Sequence, residues 1–132
     1  WARVVESLKR GVREAFDQEG PGWAPLAEST QRERRRQGYG AAHPILVRDG
    51  AMKRTFVQDP LVVSEPRFLF YGSTSEIARY HQKGTRRMPA RPILQIGKLA
   101  RAAQREFEDA FVERANREWH KATGRGAFGR AG

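Results

Sequence analysis

Cysteine is absent from the 132 residues, which removes disulfide staples, cysteine-based zinc sites, thiol catalysis and thiol redox switching together. The fold must therefore hold by packing, and a thiol-free chain fits synthesis in a reducing cytoplasm. Long apolar runs are missing as well. The longest uninterrupted one is Phe68-Leu69-Phe70-Tyr71, whereas a membrane-crossing helix needs roughly 20 such residues. Arg3, Glu6, Lys9 and Arg10 interrupt any apolar stretch near the start, so residues 1–20 do not read as a signal peptide. The chain opens on Trp1 rather than Met, and further sequence ahead of it is expected. Apolar content is low overall, at 39% with a mean hydropathy of -0.74, against roughly 45–50% in ordinary soluble domains. A soluble chain whose apolar surface is completed by neighbours is the expectation.

What is present in excess is positive charge. Lys and Arg number 25 against 15 Asp and Glu, a net charge of +10, which speaks to partners rather than to fold. Residues 1–20 are balanced, while residues 29–57 hold seven Arg and Lys against Glu33 and Asp49. Such a patch suits DNA, RNA or an acidic protein surface. A length of 132 residues fits one domain. We expect that domain over residues 1–120 and a flexible basic Gly/Arg-containing tail over residues 121–132, where periodicity stops.

Val4, Val5, Leu8, Val12, Ala15 and Phe16 recur at helical spacing and predict an amphipathic helix over about residues 2–18, stopped by Gly20-Pro21-Gly22. Trp23-Ala24-Pro25-Leu26 reads as an extended segment whose Trp and Leu pin it to the core. A short helix is expected next, capped by Ser29 or by a Thr30/Glu33 capping box and ending at Gly38. Gly38, Gly40 and Pro44 mark a loop, Ile45-Leu46-Val47 reads as extended, and Asp49 can cap one or two turns reaching Phe56. Leu61-Val62-Val63 and Phe68–Gly72, around a turn at Glu65-Pro66, predict an antiparallel hairpin. Ser73 or Ser75 can cap a short helix closed by Gly84, and Arg91-Pro92-Ile93-Leu94 reads as an edge segment. The longest helix is expected over about residues 98–121, with Leu99, Ala103, Phe107, Ala110, Phe111 and Arg114 on one face. The fold class is thus α+β: long N- and C-terminal amphipathic helices packed on one side of a small antiparallel sheet, with short helices in the connections.

Candidate chemistry is sparse. His43, His81 and His120 have no carboxylates at metal-ligand spacing. Glu106, Asp109 and Glu113 read as a solvated stripe paired within their own helix with Arg101, Arg105 and Arg117. The 13 glycines include no phosphate-binding loop between a strand and a helix, and Ser64, Ser73 and Ser75 lack a nucleophile-elbow context. No enzyme class is supported, and no catalytic, cofactor or metal residue is assigned. Arg32, Arg34, Arg35 and Arg36, with Arg86 and Arg87, are the candidate contacts to a partner or to DNA, since clustered arginines neutralise phosphates or acidic faces. A protein interface is favoured over DNA reading, because arginines on one helix point in several directions around its axis.

Four pieces in order carry a resemblance. Trp23, Pro25, Leu26 and Thr30 fit W-x-P-L-x-x-x-T, and Leu46, Gly50, Met52 and Thr55 fit L-x-x-x-G-x-[LM]-x-x-[ST]. His81, Gln82 and Gly84 fit H-Q-x-G, and Arg91 to Leu94 fit R-P-[FI]-L. Over roughly residues 1–120 the chain resembles the phage virion-morphogenesis family that includes the Mu G-like tail-completion proteins. It departs in Asp49-Gly50-Ala51-Met52, where Thr-Gly-x-Leu is usual, and in Ile93, where Phe is common. The resemblance implies a non-enzymatic neck or tail-end component of the virion, made in the host bacterial cytoplasm, that forms a ring of identical subunits. Neighbouring neck or tail proteins, and DNA passing through the channel, would be its partners, with no membrane and no cofactor. It also implies structural roles for the matched positions. Trp23 and Leu26 would pin a loop, His81 and Gly84 shape a helix end, and Arg91 with Pro92 position an edge segment; Pro25, Thr30 and Gly50 are the further structural positions of the motifs. The alternative is a small basic nucleic-acid-binding protein; a nuclease or lysin stands further off for want of metal ligands or a carboxylate pair.

Overall fold

The computed structural model describes residues 1–20, 22–40 and 44–126. The order of elements is α1 (Ala2–Asp17), α2 (Glu28–Arg36), α3 (Ala51–Val57), β1 (Leu61–Glu65), β2 (Phe68–Gly72), α4 (Glu76–Lys83) and α5 (Ile96–Thr123). The α+β expectation holds, with long helices at both ends and an antiparallel β1–β2 hairpin that pairs Leu61 with Gly72 and Glu65 with Phe68.

The apolar stripe of α1 fixes the centre of the molecule. Val4, Leu8, Val12, Ala15 and Phe16 are buried; the same side faces α5 on one flank and α3 on the other. The two long helices run antiparallel, since Lys98 near the start of α5 pairs with Glu14 while Glu113 pairs with Arg3. Gly11 sits where they approach most closely: a Cβ there would lie 2.6 Å from Leu99 Cδ2. A helical glycine costs about 1 kcal/mol relative to alanine, and the close approach explains its presence. Phe16 meets Trp23 edge-on at 6.0 Å between ring centroids and Phe56 at 6.3 Å, a favoured aromatic geometry. The hairpin joins the core through Leu69 and Tyr71, and the Tyr71 hydroxyl donates to the Phe56 carbonyl. Burial, with Glu6 adding, pushes that phenol up to about 12, so it remains a donor throughout the physiological range.

Several local expectations change once distant partners are in place. Helix α2 starts at Glu28 with Ala27 at the N-cap, so neither Ser29 nor a Thr30/Glu33 box caps it. Glu33 reaches forward to Arg36 and Gln37 instead, and Gln31 bonds back to the Leu26 carbonyl at 2.8 Å. Ile45-Leu46-Val47 is a turn rather than an extended segment: Leu46 has φ 61 and is buried. The Ile45 N–H is taken by the Glu19 carboxylate at 2.9 Å. Burial of the leucine side chain offsets a left-handed backbone. Asp49 does act at the start of α3, accepting the Ala51 N–H at 3.0 Å. Ser75 occupies the N-cap of α4 without a side-chain bond, while the Ser73 hydroxyl accepts the Ser75 N–H at 3.0 Å and meets Thr55 Oγ1 at 2.6 Å.

Helix α5 is rotated from its expected face. Leu99 is buried and Ala103 half-buried, but Phe107 and Phe111 are exposed. α1 presents Arg3 and Arg10 to this helix, and Arg3 pairs with Glu106 at 3.4 Å and with Glu113 at 2.8 Å. The acidic stripe expected to pair within α5 therefore ties the two helices together. Hydrogen bonding and charge from Arg3 hold the Glu113 carboxyl below its usual value. α5 also outlasts α1: it runs through Thr123, and every residue from Arg117 to Gly126 is exposed. Residues 127–132 of the expected tail lie outside the described residues.

Substituting Phe16→Ala should cost about 3–5 kcal/mol of unfolding free energy in a urea titration, because the site is fully enclosed. Thr30→Ala should stay within about 0.5 kcal/mol, as an exposed substitution without a special role does. A loss near 1 kcal/mol, typical of a missing N-cap, would restore the capping box.

Candidate functional site

The residues of three matched segments converge on one clasp beside the core. Trp23 is buried and its indole Nε1 donates to the Pro92 carbonyl at 3.0 Å. Arg91 is buried too. Its Nε donates to Ala24 O at 2.7 Å and its Nη2 to Pro25 O at 2.8 Å. The planar guanidinium fork thereby satisfies two carbonyls of a segment with no strand or helix partner. No carboxylate pairs with Arg91 among the described residues, so backbone dipoles alone meet its charge.

The other side of the clasp is built on α4. Gln82 Oε1 accepts the N–H groups of Ile93 and Leu94, each at 2.9 Å, and its Nε2 donates to Leu94 O at 2.9 Å. The Arg91 N–H goes to the His81 carbonyl at 2.7 Å. Residues 91–94 are consequently not an edge strand: helix-borne groups take the N–H and C=O groups that a neighbouring strand would have taken, and Ile93 is driven fully into the core. Gly84 ends α4 at φ 73, and a Cβ there would fall 2.7 Å from the Ala90 backbone nitrogen. Only glycine fits that return of the chain. Gln82 was legible as a motif letter but not as the group that holds residues 93 and 94; nothing local in the sequence signals it.

His81 is half-buried, and its Nδ1 has no hydrogen-bond partner among the described residues. Burial, reinforced by the charge of Arg91, holds its pKa below the usual histidine value. His120 is exposed with Nδ1 2.9 Å from Arg125 O, and His43 lies outside the described residues. No cluster of three His, Cys, Asp or Glu able to hold a metal occurs among the described residues.

Of the remaining matched positions, Leu26 is half-buried, Pro25, Thr30 and Pro92 are exposed, and Gly50 is the N-cap of α3. Leu46 and Met52 belong to the core and its margin. The candidate contact residues lie elsewhere. All nine residues of α2 are exposed except the half-buried Arg34, whose Nη1 donates to Pro44 O at 2.9 Å. Burial, then Arg48 and Arg91, push its guanidinium below the usual value, Tyr39 opposing. Arg34 thus belongs partly to the scaffold, while Arg32, Arg35 and Arg36 face outward on α2. Arg86 and Arg87 are exposed in the tight turn between the bridged Thr85 and Met88.

The matched segments thus stand as scaffold and the arginines as surface. Compared with known families, residues 2–113 match the phage virion morphogenesis family. The chain belongs to that family. No curated protein and no solved structure matches it. Membership gives this virion-morphogenesis chain a structural part in the phage particle. No described helix is long and apolar enough to cross a membrane.

Two measurements test the clasp. Arg91→Lys keeps the charge but loses the fork, and should cost about 1.5–3 kcal/mol in chemical denaturation, the range for a hydrogen bond to a charged group. His81 sets a pH dependence. Its folded pKa is lowered, so below about 6.5 the unfolded chain takes up a proton that the folded chain refuses. Stability should fall as the pH drops from about 7 through 6.5 toward the folded value, and His81→Gln should flatten that decline. An unchanged slope in the variant would assign the decline to other groups.

Proposed function

We propose that this chain is a ring-forming subunit at the neck or tail end of the particle, where it completes the tail or joins it to the head. One observation carries the reading beyond family membership: among the described residues more large apolar side chains are exposed than the core encloses, including Leu61, Val63, Phe68, Phe70, Ile77, Ile96, Phe107 and Phe111. A chain that leaves this much apolar surface uncovered suits an assembled part better than a free monomer. Closed rings of identical copies are the common way to cover it in symmetric particles. The chain works by surfaces, with no covalent chemistry assigned to it.

In this reading the outward arginines of α2 meet an acidic face of an adjoining particle protein. Their number and exposure also favour one second reading, contact with DNA phosphates, either in a channel or as a small nucleic-acid-binding protein. Substituting Arg32, Arg35 and Arg36 by Gln separates the two, because none of the three is bonded into the clasp. We expect a folded subunit that fails in an in vitro head–tail joining or tail-completion assay, with DNA affinity little changed. The DNA reading predicts the reverse: intact completion, weaker binding to every sequence, and a salt dependence flatter by about one unit of slope per lost phosphate contact.

A further inference from the structure

The hairpin has two faces of opposite fate. Val62, Leu69 and Tyr71 alternate onto one side, where Leu69 and Tyr71 pack on the core. The other side presents Leu61, Val63, Phe68 and Phe70, which are between 43% and 53% exposed. Strands with one wet face alternate apolar and polar residues, whereas strands covered on both faces read as continuous apolar runs. Leu61-Val62-Val63 and Phe68-Leu69-Phe70-Tyr71 have the second pattern, and the folded subunit covers only one face. A second, partly uncovered strip lies on α5, where Phe107 and Phe111, one helical turn apart, are 55% and 66% exposed. The Trp1 ring lies 6.2 Å from Phe107 and its indole donates to Glu65 O of the hairpin at 2.7 Å, so Trp1 stands against both patches.

The charge on these elements identifies what can cover them. Of the net charge of +10, residues 21–57 contribute four, with seven basic against three acidic side chains, residues 73–95 another four, with five against one, and Arg125 and Arg130 two more. Residues 1–20 have four of each sign, residues 58–72 hold Asp59 and Glu65 against Arg67, and α5 has six basic against five acidic. Two copies of so basic a chain repel through most of their surfaces, but not through these neutral ones. An anionic partner would gain nothing there, whereas a second copy would. At roughly 150–250 Å² per aromatic side chain, the two half-exposed phenylalanines of each patch offer on the order of 200 Å², about a quarter of the ~800 Å² that each partner gives to a stable interface, and Leu61 and Val63 enlarge the hairpin side.

We infer that the outer hairpin face of one copy packs on the Phe107–Phe111 strip of the next copy of the same chain. The inference deepens the ring reading and rests on it: closing a ring requires a head-to-tail contact between two different patches, and the subunit carries two.

The test uses the full chain. Phe70→Lys and Phe111→Lys each place a charge at one patch, on side chains exposed in the subunit. Sedimentation of the wild type should show an oligomer, and each variant should dissociate at least 100-fold more readily with an unchanged thermal melt by circular dichroism. Val63→Lys replaces Phe70→Lys if the latter melts early. Mixing the two variants should yield a heterodimer, because each retains the patch that the other has lost. Variants that stay assembled like the wild type would overturn the proposed surface and leave the ring reading standing. Monomeric variants whose mixture gives no heterodimer would overturn the head-to-tail pairing. A wild type that is monomeric at all concentrations would bring down the ring reading and this inference together.

Discussion

Everything outside the helical core depends on how the connections satisfy their own backbone. A chain with 39% apolar residues cannot lay hydrophobic surface under each loop, and an unpaired buried N–H or C=O costs about as much as a lost hydrogen bond. Two side chains resolve this. Arg91 collects the carbonyls of Ala24 and Pro25, and Gln82 collects both amides and one carbonyl of residues 93 and 94. The segment after α1 and the segment before α5 are locked together by these bonds and by the Trp23–Pro92 contact. The clasp therefore ties the chain leaving α1 to the chain entering α5, beside the direct packing of the two helices.

The parts of the fold governed by local periodicity were legible in the sequence. The stripe of α1, the two apolar runs of the hairpin and the extent of α5 depend on residues a few positions apart, and the structure places them as expected. Features that depend on residues far along the chain were not legible. Leu46 turns left-handed because a core formed by α1 and α3 receives its side chain, and residues 91–94 leave the extended state because α4 offers Gln82 and the His81 carbonyl. The face that α5 turns to α1 pairs Glu106 and Glu113 with Arg3 and Arg10, some hundred positions earlier. The same division runs through the candidate site. The motif letters of the family could be read, but that Trp23, Gln82 and Arg91 meet in one place could not.

The separation of charge from apolar surface gives the subunit a polarity suited to its family. The hairpin and α5, both near neutral, carry most of the uncovered hydrophobic side chains, and the excess of arginine lies in α2 and in the stretch after α4. In the proposed ring, a subunit meeting its own kind and also a chemically different neighbour would benefit from keeping those surfaces apart, since a charge spread evenly would weaken self-contact and blur the choice of partner.

The end of α5 has a thermodynamic consequence of its own. From Arg117 to Thr123 every residue of the helix is exposed, and a stretch this short is marginal as a helix in water on its own. Amide hydrogens in so exposed an end are expected to exchange by local fraying, ahead of those around the buried Val12 and Leu99. In the proposed assembly, a neighbour docking alongside would lengthen the cooperative unit, and the entropy of ordering this end would be lost at assembly rather than at folding.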